Sequence, residues 1–500
     1  MSRVGMSRAR PPIRRAPVVF ALATLAALAT TGCTSYRLMR DGQVNTKAAA
    51  RIQTRVEATR GLKFRSPVPI QAVTPAEARA ALERELHTQY SSEELAKLSR
   101  VYAALGLVPA GTDLERAYLE LYGQQVAGFY DPIGSRMVLV EGAIPTDFLT
   151  RTLGAVLRRD FAGELVLAHE LTHALQDQHY GLEVGRNDLG EDDAELARHA
   201  VYEGDATLAG FAVVMGSLGR RSAVSLAGQL EGVPGALAQA YPEIPAAIRE
   251  TVAFEYVAGV NFVSWAYERA GWDGVNALLA HPPFSSEQIL HPEKYFVRAE
   301  YPLSVRVGGL APYTSGGWQV AEECTIGEFT TRILAAQFLP RARAESVAAG
   351  WGGDRMVALT HGDDLAIVWL TSWDTEQDAI EFFAGYGAIL AVQHPESRAQ
   401  AAEATVLASQ GPFPYRLERE GARVLVVEGP LDADLSRTTE RVWRRSTYQQ
   451  TMPAVPLDLA TRTVAPTTTT PITRAPLAAA LPIAAALPIA AAAPIAADPR

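Results

Sequence analysis

The spacing of apolar positions changes several times along the chain, and each change marks an element. A polar stretch over 34–62 runs into a short helix. Next, "PVPIQAVTPAEARAALERELH" from 67 predicts a strand and then a helix capped by Thr74, with Pro75 in its first position and Glu77 closing a capping box. Helical patterns continue through about 124. "VAGFYDPIGSRMVLVEG" from 126 is two apolar runs around Asp-Pro-Ile-Gly, a hairpin. In "ELVLAHELTHALQDQHY" from 164, Leu165, Val166, Leu167, Leu171, Ala174 and Leu175 give a helical run with no Gly or Pro before Tyr180. "EDDAELARHAVYEGDATLAGFAVVMGSL" from 191 carries a second stripe, Ala194, Leu196, Ala197, Val201, Ala206, Leu208 and Phe211, after an acidic start that suits a helix N-terminus.

Beyond 300 the alternation is that of strands. "MVALTHGDDLAIVWLTSW" is a strand pair around a polar turn, "DTEQDAIEFFAGYGAIL" a helix capped by Asp374 with Gln377, and "YRLEREGARVLVVEG" a second hairpin. This order predicts an α+β accessory domain over 301–455 with an antiparallel sheet. From 456 to 500 the chain repeats Pro-Ile-Ala units; proline about every seven residues would break a spanning helix, so this is expected to be a disordered extension.

The N-terminus reads as a targeting segment. "MSRVGMSRARPPIRR" carries five arginines and precedes a 16-residue apolar run that ends at Gly32-Cys33. Residues 1–33 therefore resemble a bacterial lipoprotein signal, which implies lipid on Cys33, a membrane-anchored protein of the cell envelope, and a tether over 34–62. Thr30 departs from the usual Leu three before the cysteine. With only two cysteines, a lipidated Cys33 leaves Cys324 as a buried thiol and no intramolecular disulfide. With 46 basic and 55 acidic residues the net charge is −9, and nothing suggests a nucleic-acid footprint. A chain of 500 residues that is 48% hydrophobic can bury a large core.

The candidate chemistry sits in "HELTH". With 9 His and 35 Glu in 500 residues, a chance His-Glu-x-x-His is expected roughly 0.01 times. On a helix His169 and His173 lie about 40° apart on one face, so both imidazoles can reach one Zn²⁺. Glu170 points aside, placed to take a proton from water at the open fourth position. The alternative is an amphipathic helix whose histidines are satisfied by hydrogen bonds. A catalytic zinc needs a third protein ligand, and Glu203 in "EGDA" is the candidate, among small residues that allow close helix approach. His199 is its rival, and Asp205 and Asp177 are candidates to orient a ligand imidazole through its other nitrogen.

"HELTHALQD" and "EGDA" resemble the gluzincin, thermolysin-type class of zinc metallopeptidases. "PPFSSEQILHPEKYF" from 282 is similar to a further block of a bacterial family in that class, which stretches the resemblance over roughly 125–300. The resemblance implies a zincin-like, largely helical catalytic domain over 63–300, with 63–124 as its helical N-terminal part and the hairpin at the cleft edge to receive substrate backbone. It makes His169, His173 and Glu203 the ligands of one zinc per chain and Glu170 the general base. An oxyanion donor is expected at His291, with Tyr295, Tyr256 and Tyr130 behind it. Thr207 stands four after Glu203, where the class has an aspartate. The expected function is an envelope-anchored zinc endopeptidase acting on peptide or protein substrates; the alternative is a catalytically silent, zinc-containing envelope binding or assembly protein.

Overall fold

The structure is a computed structural model that describes residues 36–125, 127–144, 157, 159–182, 192–408 and 413–451. The expected signal segment with Cys33 and the expected tail 456–500 lie outside these residues. The fold is a mixed α+β arrangement of helices with largely antiparallel sheets.

The described part of the stretch expected as a tether, 36–62, packs into the core. Asn45 caps α1 (Thr46–Arg60), which ends at Gly61 in the left-handed conformation. Within its polar sequence Ala48, Ile52, Val56 and Arg60 recur every four residues, and all four are buried. The Leu38 N–H donates to Asp160 at 2.8 Å. A weak apolar stripe in a polar helix was what hid this packing.

Three strands form a small sheet: β1 (Ile70–Val73), β2 (Gly128–Asp131) and β3 (Arg136–Val140), in the order β1-β3-β2. The β2–β3 hairpin and the Thr74 capping box with Glu77 are as expected. Alternation splits the sheet faces. Phe129, Val138 and Val140 pack with Ala78, Leu82 and Leu86 of the helix Pro75–Gln89. Tyr130, Met137 and Leu139 pack with α2 (Phe161–Tyr180), the helix of the His-Glu-x-x-His motif. Edge strand β2 therefore lies against the motif.

Beside α2 runs α3 (Asp192–Met215), and across α3 runs α4 (Ala246–Ala270). Two glycines set these crossings. A Cβ on Gly210 would meet the Leu165 side chain of α2 at 3.1 Å, whereas a Cβ on Gly259 of α4 would stand 2.0 Å from the Ala200 carbonyl oxygen of α3. Gly204 in turn faces the Gly259 backbone. The small residues of "EGDA" thus admit α4, not the motif helix as expected.

Seven strands of the C-terminal half join in one sheet: β4 (Gln319–Cys324), β5 (Trp351–His361), β6 (Asp364–Trp373), β7 (Gln400–Ala402), β8 (Thr405–Ala408), β9 (Tyr415–Glu420) and β10 (Arg423–Glu428). They form one antiparallel sheet in the order β7-β8-β9-β10-β6-β5-β4. Two helices used below precede or flank it, α5 (Ser286–Leu290) and α6 (Gly327–Ala336), and α7 (Glu376–Gln393) packs on it. The cap of α7 is Thr375 with Asp378, one residue beyond the expected Asp374 and Gln377. Cys324 is buried, as expected. The boundary expected at 300/301 falls inside a continuous apolar cluster that runs from Val101 to Val426. Across it, Phe254 of α4 stacks on Phe329 of α6 with ring centroids 4.0 Å apart. Among the described residues no helix is long and apolar enough to cross a membrane.

Candidate metal centre

The i, i+4 spacing on α2 brings the two motif histidines together, with Nε2 of His169 and of His173 3.1 Å apart. Glu203 enters from α3 with Oε2 3.2 Å from His169 Nε2 and Oε1 3.7 Å from His173 Nε2. All three side chains are buried. Three donor atoms on a tetrahedral ion with bonds of about 2.0–2.1 Å stand about 3.3 Å apart; the two imidazole nitrogens and Glu203 Oε2 beside His169 are near that spacing, while the approach to His173 is through the other carboxylate oxygen, Oε1.

Electrostatics supports the fit. Burial pushes His169 down to about 3 and His173 down to about 4, so both rings are neutral and keep a lone pair at neutral pH. Burial, reinforced by the charge of Glu203, pushes Glu170 well up, and burial likewise raises Glu203. Among the described residues Arg60 is the one fully buried arginine or lysine, and it pairs with Asp205, not with Glu170 or Glu203. Two uncompensated carboxylates in a dry interior are costly unless they take up protons or a divalent cation. Oε1 of Glu170 and Oε2 of Glu203 have no hydrogen-bond partner.

Glu170 is held from one side. Its Oε2 accepts the Tyr130 N–H of β2 at 3.0 Å, which leaves Oε1 as the free oxygen. The strand edge expected to receive substrate backbone therefore gives one of its outward donors to the motif.

The atoms behind His173 correct the expected support. Gln176 Nε2 donates to Asp205 Oδ2 at 2.9 Å and to the Tyr202 carbonyl at 3.0 Å. Two acceptors on that side fix the amide, so its oxygen must face His173 Nδ1, 2.7 Å away. His173 accordingly carries its proton on Nδ1 and its lone pair on Nε2. Asp205 acts one residue removed from the imidazole, because the Gln176 side chain fills the space between. Asp177 does not touch an imidazole either: it accepts from the Tyr130 hydroxyl at 2.7 Å, on the sheet side of α2. Thr207 is buried without a polar partner, so Asp205, two residues after Glu203, supplies the nearby carboxylate instead.

His199 is not among the converging donors. Its ring lies 3.8 Å from both Glu195 and Glu255, and although burial disfavours its charge, Glu255 holds its pKa above the usual histidine value. His291 is not brought to the centre. Its Nε2 meets Glu328 Oε1 at 2.9 Å, and α5, which it ends, docks through Ser286 on Asp193. Asp193 precedes Glu203 by ten residues, about 15 Å along a helix axis. Tyr295 donates to the His281 carbonyl. The tyrosine at the site is Tyr256 of α4, stacked over His169 with ring centroids 6.0 Å apart. Its hydroxyl is close enough to Glu203 for the two to couple, but the pair is outside hydrogen-bonding geometry.

Comparison with known proteins adds one match. Residues 318–439 match the model of a domain of unknown function, DUF8575. No curated protein and no solved structure matches the chain. The DUF8575 segment begins one residue before β4 and ends within the helix Leu435–Arg445, so it contains none of the cluster residues.

Two site residues escaped the sequence. Gln176 had a readable signal, lying one turn after His173 on the same face. Arg60 had none, coming from a helix more than 100 residues upstream. A second donor set, Glu83, His87 and Glu115, is largely exposed on the helices 75–89 and 114–125.

Proposed function

We propose that the chain is a zinc-dependent endopeptidase of the bacterial cell envelope, with a zincin-like helical part, an α+β accessory part, and an anchor at lipidated Cys33. The observation that carries this reading is the buried convergence of His169, His173 and Glu203 at 3.1–3.7 Å beside a glutamate with one free oxygen. These three side chains would hold one zinc ion. When bound, zinc supplies Lewis acidity, which polarises a carbonyl and makes water acidic near neutral pH.

The protein groups have separate tasks. Glu170 Oε1 takes the proton of the attacking water and passes it to the departing amine nitrogen, while the Tyr130 N–H keeps Oε2 in place. Tyr256 is the donor for the oxyanion of the tetrahedral adduct, the role expected of His291. Edge strand β2 offers its remaining outward groups to extended substrate.

The complete burial of Glu170 favours a second reading, a catalytically silent zinc protein of the envelope. One experiment separates them. Full-length protein should carry about one zinc per chain, and Glu170→Gln should keep zinc and fold while hydrolysis of an unstructured casein substrate drops about 10²-fold or more. Zinc without hydrolysis in the wild type would establish the silent reading, and equal hydrolysis in both proteins would remove Glu170 from the chemistry.

A further inference from the structure

The N-terminal helix α1 reaches the candidate metal centre through a chain of buried polar contacts. Arg60, its last residue, is 1% exposed. Its Nε lies 3.0 Å from Asp205 Oδ1, and Nη2 donates to Asp205 Oδ2 at 3.1 Å and to Asn276 Oδ1 at 2.9 Å. The guanidinium lies over the Trp272 ring, 4.6 Å from its centroid. Asp205 Oδ2 also receives the Gln176 amide, whose oxygen faces His173 Nδ1. Side chains from α1, α2 and α3 thus form a single line that ends on a ligand imidazole.

We propose that Arg60, Asp205 and Gln176 are positioning residues for His173, so that docking of α1 and metal binding reinforce each other. The inference rests on the zinc reading above. Its logic is electrostatic. A carboxylate directly on His173 would add negative charge beside Glu170 and Glu203. An amide fixes the imidazole's tautomer and plane with no charge of its own. An amide on its own can flip, however, and would then present its NH₂ group to His173. Asp205 prevents the flip by accepting from Nε2, and Arg60 neutralises Asp205 and holds it through the Nη2 hydrogen bond to Oδ2, with Nε in ion-pair contact with Oδ1. A buried ion pair is a poor source of stability by itself. A pair whose far end fixes a ligand nitrogen has a different use.

The test measures zinc affinity of the full chain by chelator competition, cobalt absorption spectra, and protease cleavage within 46–60 with and without zinc. Circular dichroism checks the fold of each variant. Gln176→Leu should keep its fold, bind zinc 10- to 100-fold more weakly, and alter the cobalt bands. Arg60→Met alone strands a buried carboxylate, so the paired variant Arg60→Met/Asp205→Leu, which removes both charges, is measured beside it and should show a comparable loss. In the wild type zinc should slow cleavage of α1; in Gln176→Leu, saturated with zinc, that protection should shrink. Wild-type affinity and wild-type protection in Gln176→Leu would overturn the coupling while leaving the zinc reading intact. Zinc absent from the wild type, or held undiminished by His173→Ala, would overturn the zinc reading and the coupling with it.

Discussion

Replacing Gly259 by alanine tests whether the α3–α4 crossing sets the geometry of the centre. The added Cβ would stand 2.0 Å from the Ala200 carbonyl oxygen and 2.9 Å from its carbon. An ordinary carbon–oxygen contact is about 3.3 Å or longer, so the helices must part by roughly 1.3 Å. α3 has little room on its other side, where Gly210 already approaches Leu165. The displaced element is therefore α4, and Tyr256, one turn before Gly259, retreats from His169 and Glu203. Overpacking of this kind costs about 1–3 kcal/mol. The expected result is a melting temperature lower by several degrees and zinc content near that of the wild type. Turnover should fall up to about 10²-fold, the effect of misplacing a group by about 1 Å. Gly235→Ala, where a Cβ meets nothing within 4 Å, serves as the control and should be neutral or slightly stabilising. Calorimetry, metal analysis and casein hydrolysis on the three proteins decide the matter. A Gly259→Ala protein that melts and turns over like the wild type would refute the idea that this crossing is held at backbone contact.

Tyr256→Phe should retain zinc and fold while kcat falls by about 10²–10³, the range for loss of one oxyanion donor; unchanged kcat would return the search for that donor to other residues. Removing metal with a chelator should lower the melting temperature, and returning zinc at about 1,000 times its Kd should restore about 4 kcal/mol of stability; a melting temperature indifferent to zinc would mean that the buried carboxylates need no cation. Burial pushes Glu428 up to about 7, with the Tyr386 hydroxyl donating to it at 2.7 Å. A carboxyl whose folded pKa lies above its unfolded value near 4.5 favours the native state most below pH 4.5, and that contribution is lost as pH rises toward 7. Glu428→Gln keeps an acceptor for Tyr386 and should flatten this part of the profile, by a few kcal/mol between pH 5 and 8. Urea midpoints across that range in both proteins check it; parallel curves would mean that Glu428 does not titrate there.

The parts of the molecule that could be read from sequence were those with a short-range period. The hairpin of Gly128–Asp131 with Arg136–Val140, the α2 run and the four strands read in the C-terminal half are alternations or helical stripes within about 20 residues, and they fold as read. So is the meeting of His169 with His173, which helix geometry alone requires. Glu203 depended on a helix crossing; it was preferred to His199 for the small residues around it, which in the fold admit α4 instead. His291 was expected as the oxyanion donor through the resemblance, but its partner, Glu328, comes from the other side of the expected domain boundary. Arg60 was unreadable for the same reason. Long-range contacts leave no period in the chain, and a buried arginine has the same letter as an exposed one.

The apolar cluster shared by helices and sheet also bears on biosynthesis. A chain made from its N-terminus would present α4 before Phe329, which stacks on Phe254, and well before Tyr415, Leu417, Val424 and Val426 exist to complete the same cluster. The short strands Leu303–Arg306 and Thr447–Gln450 pair only after that. Until then the helical half carries an uncovered apolar face, the kind of surface through which incomplete chains aggregate. An organism making this protein must therefore protect the half-finished chain, or finish it faster than two such faces can meet.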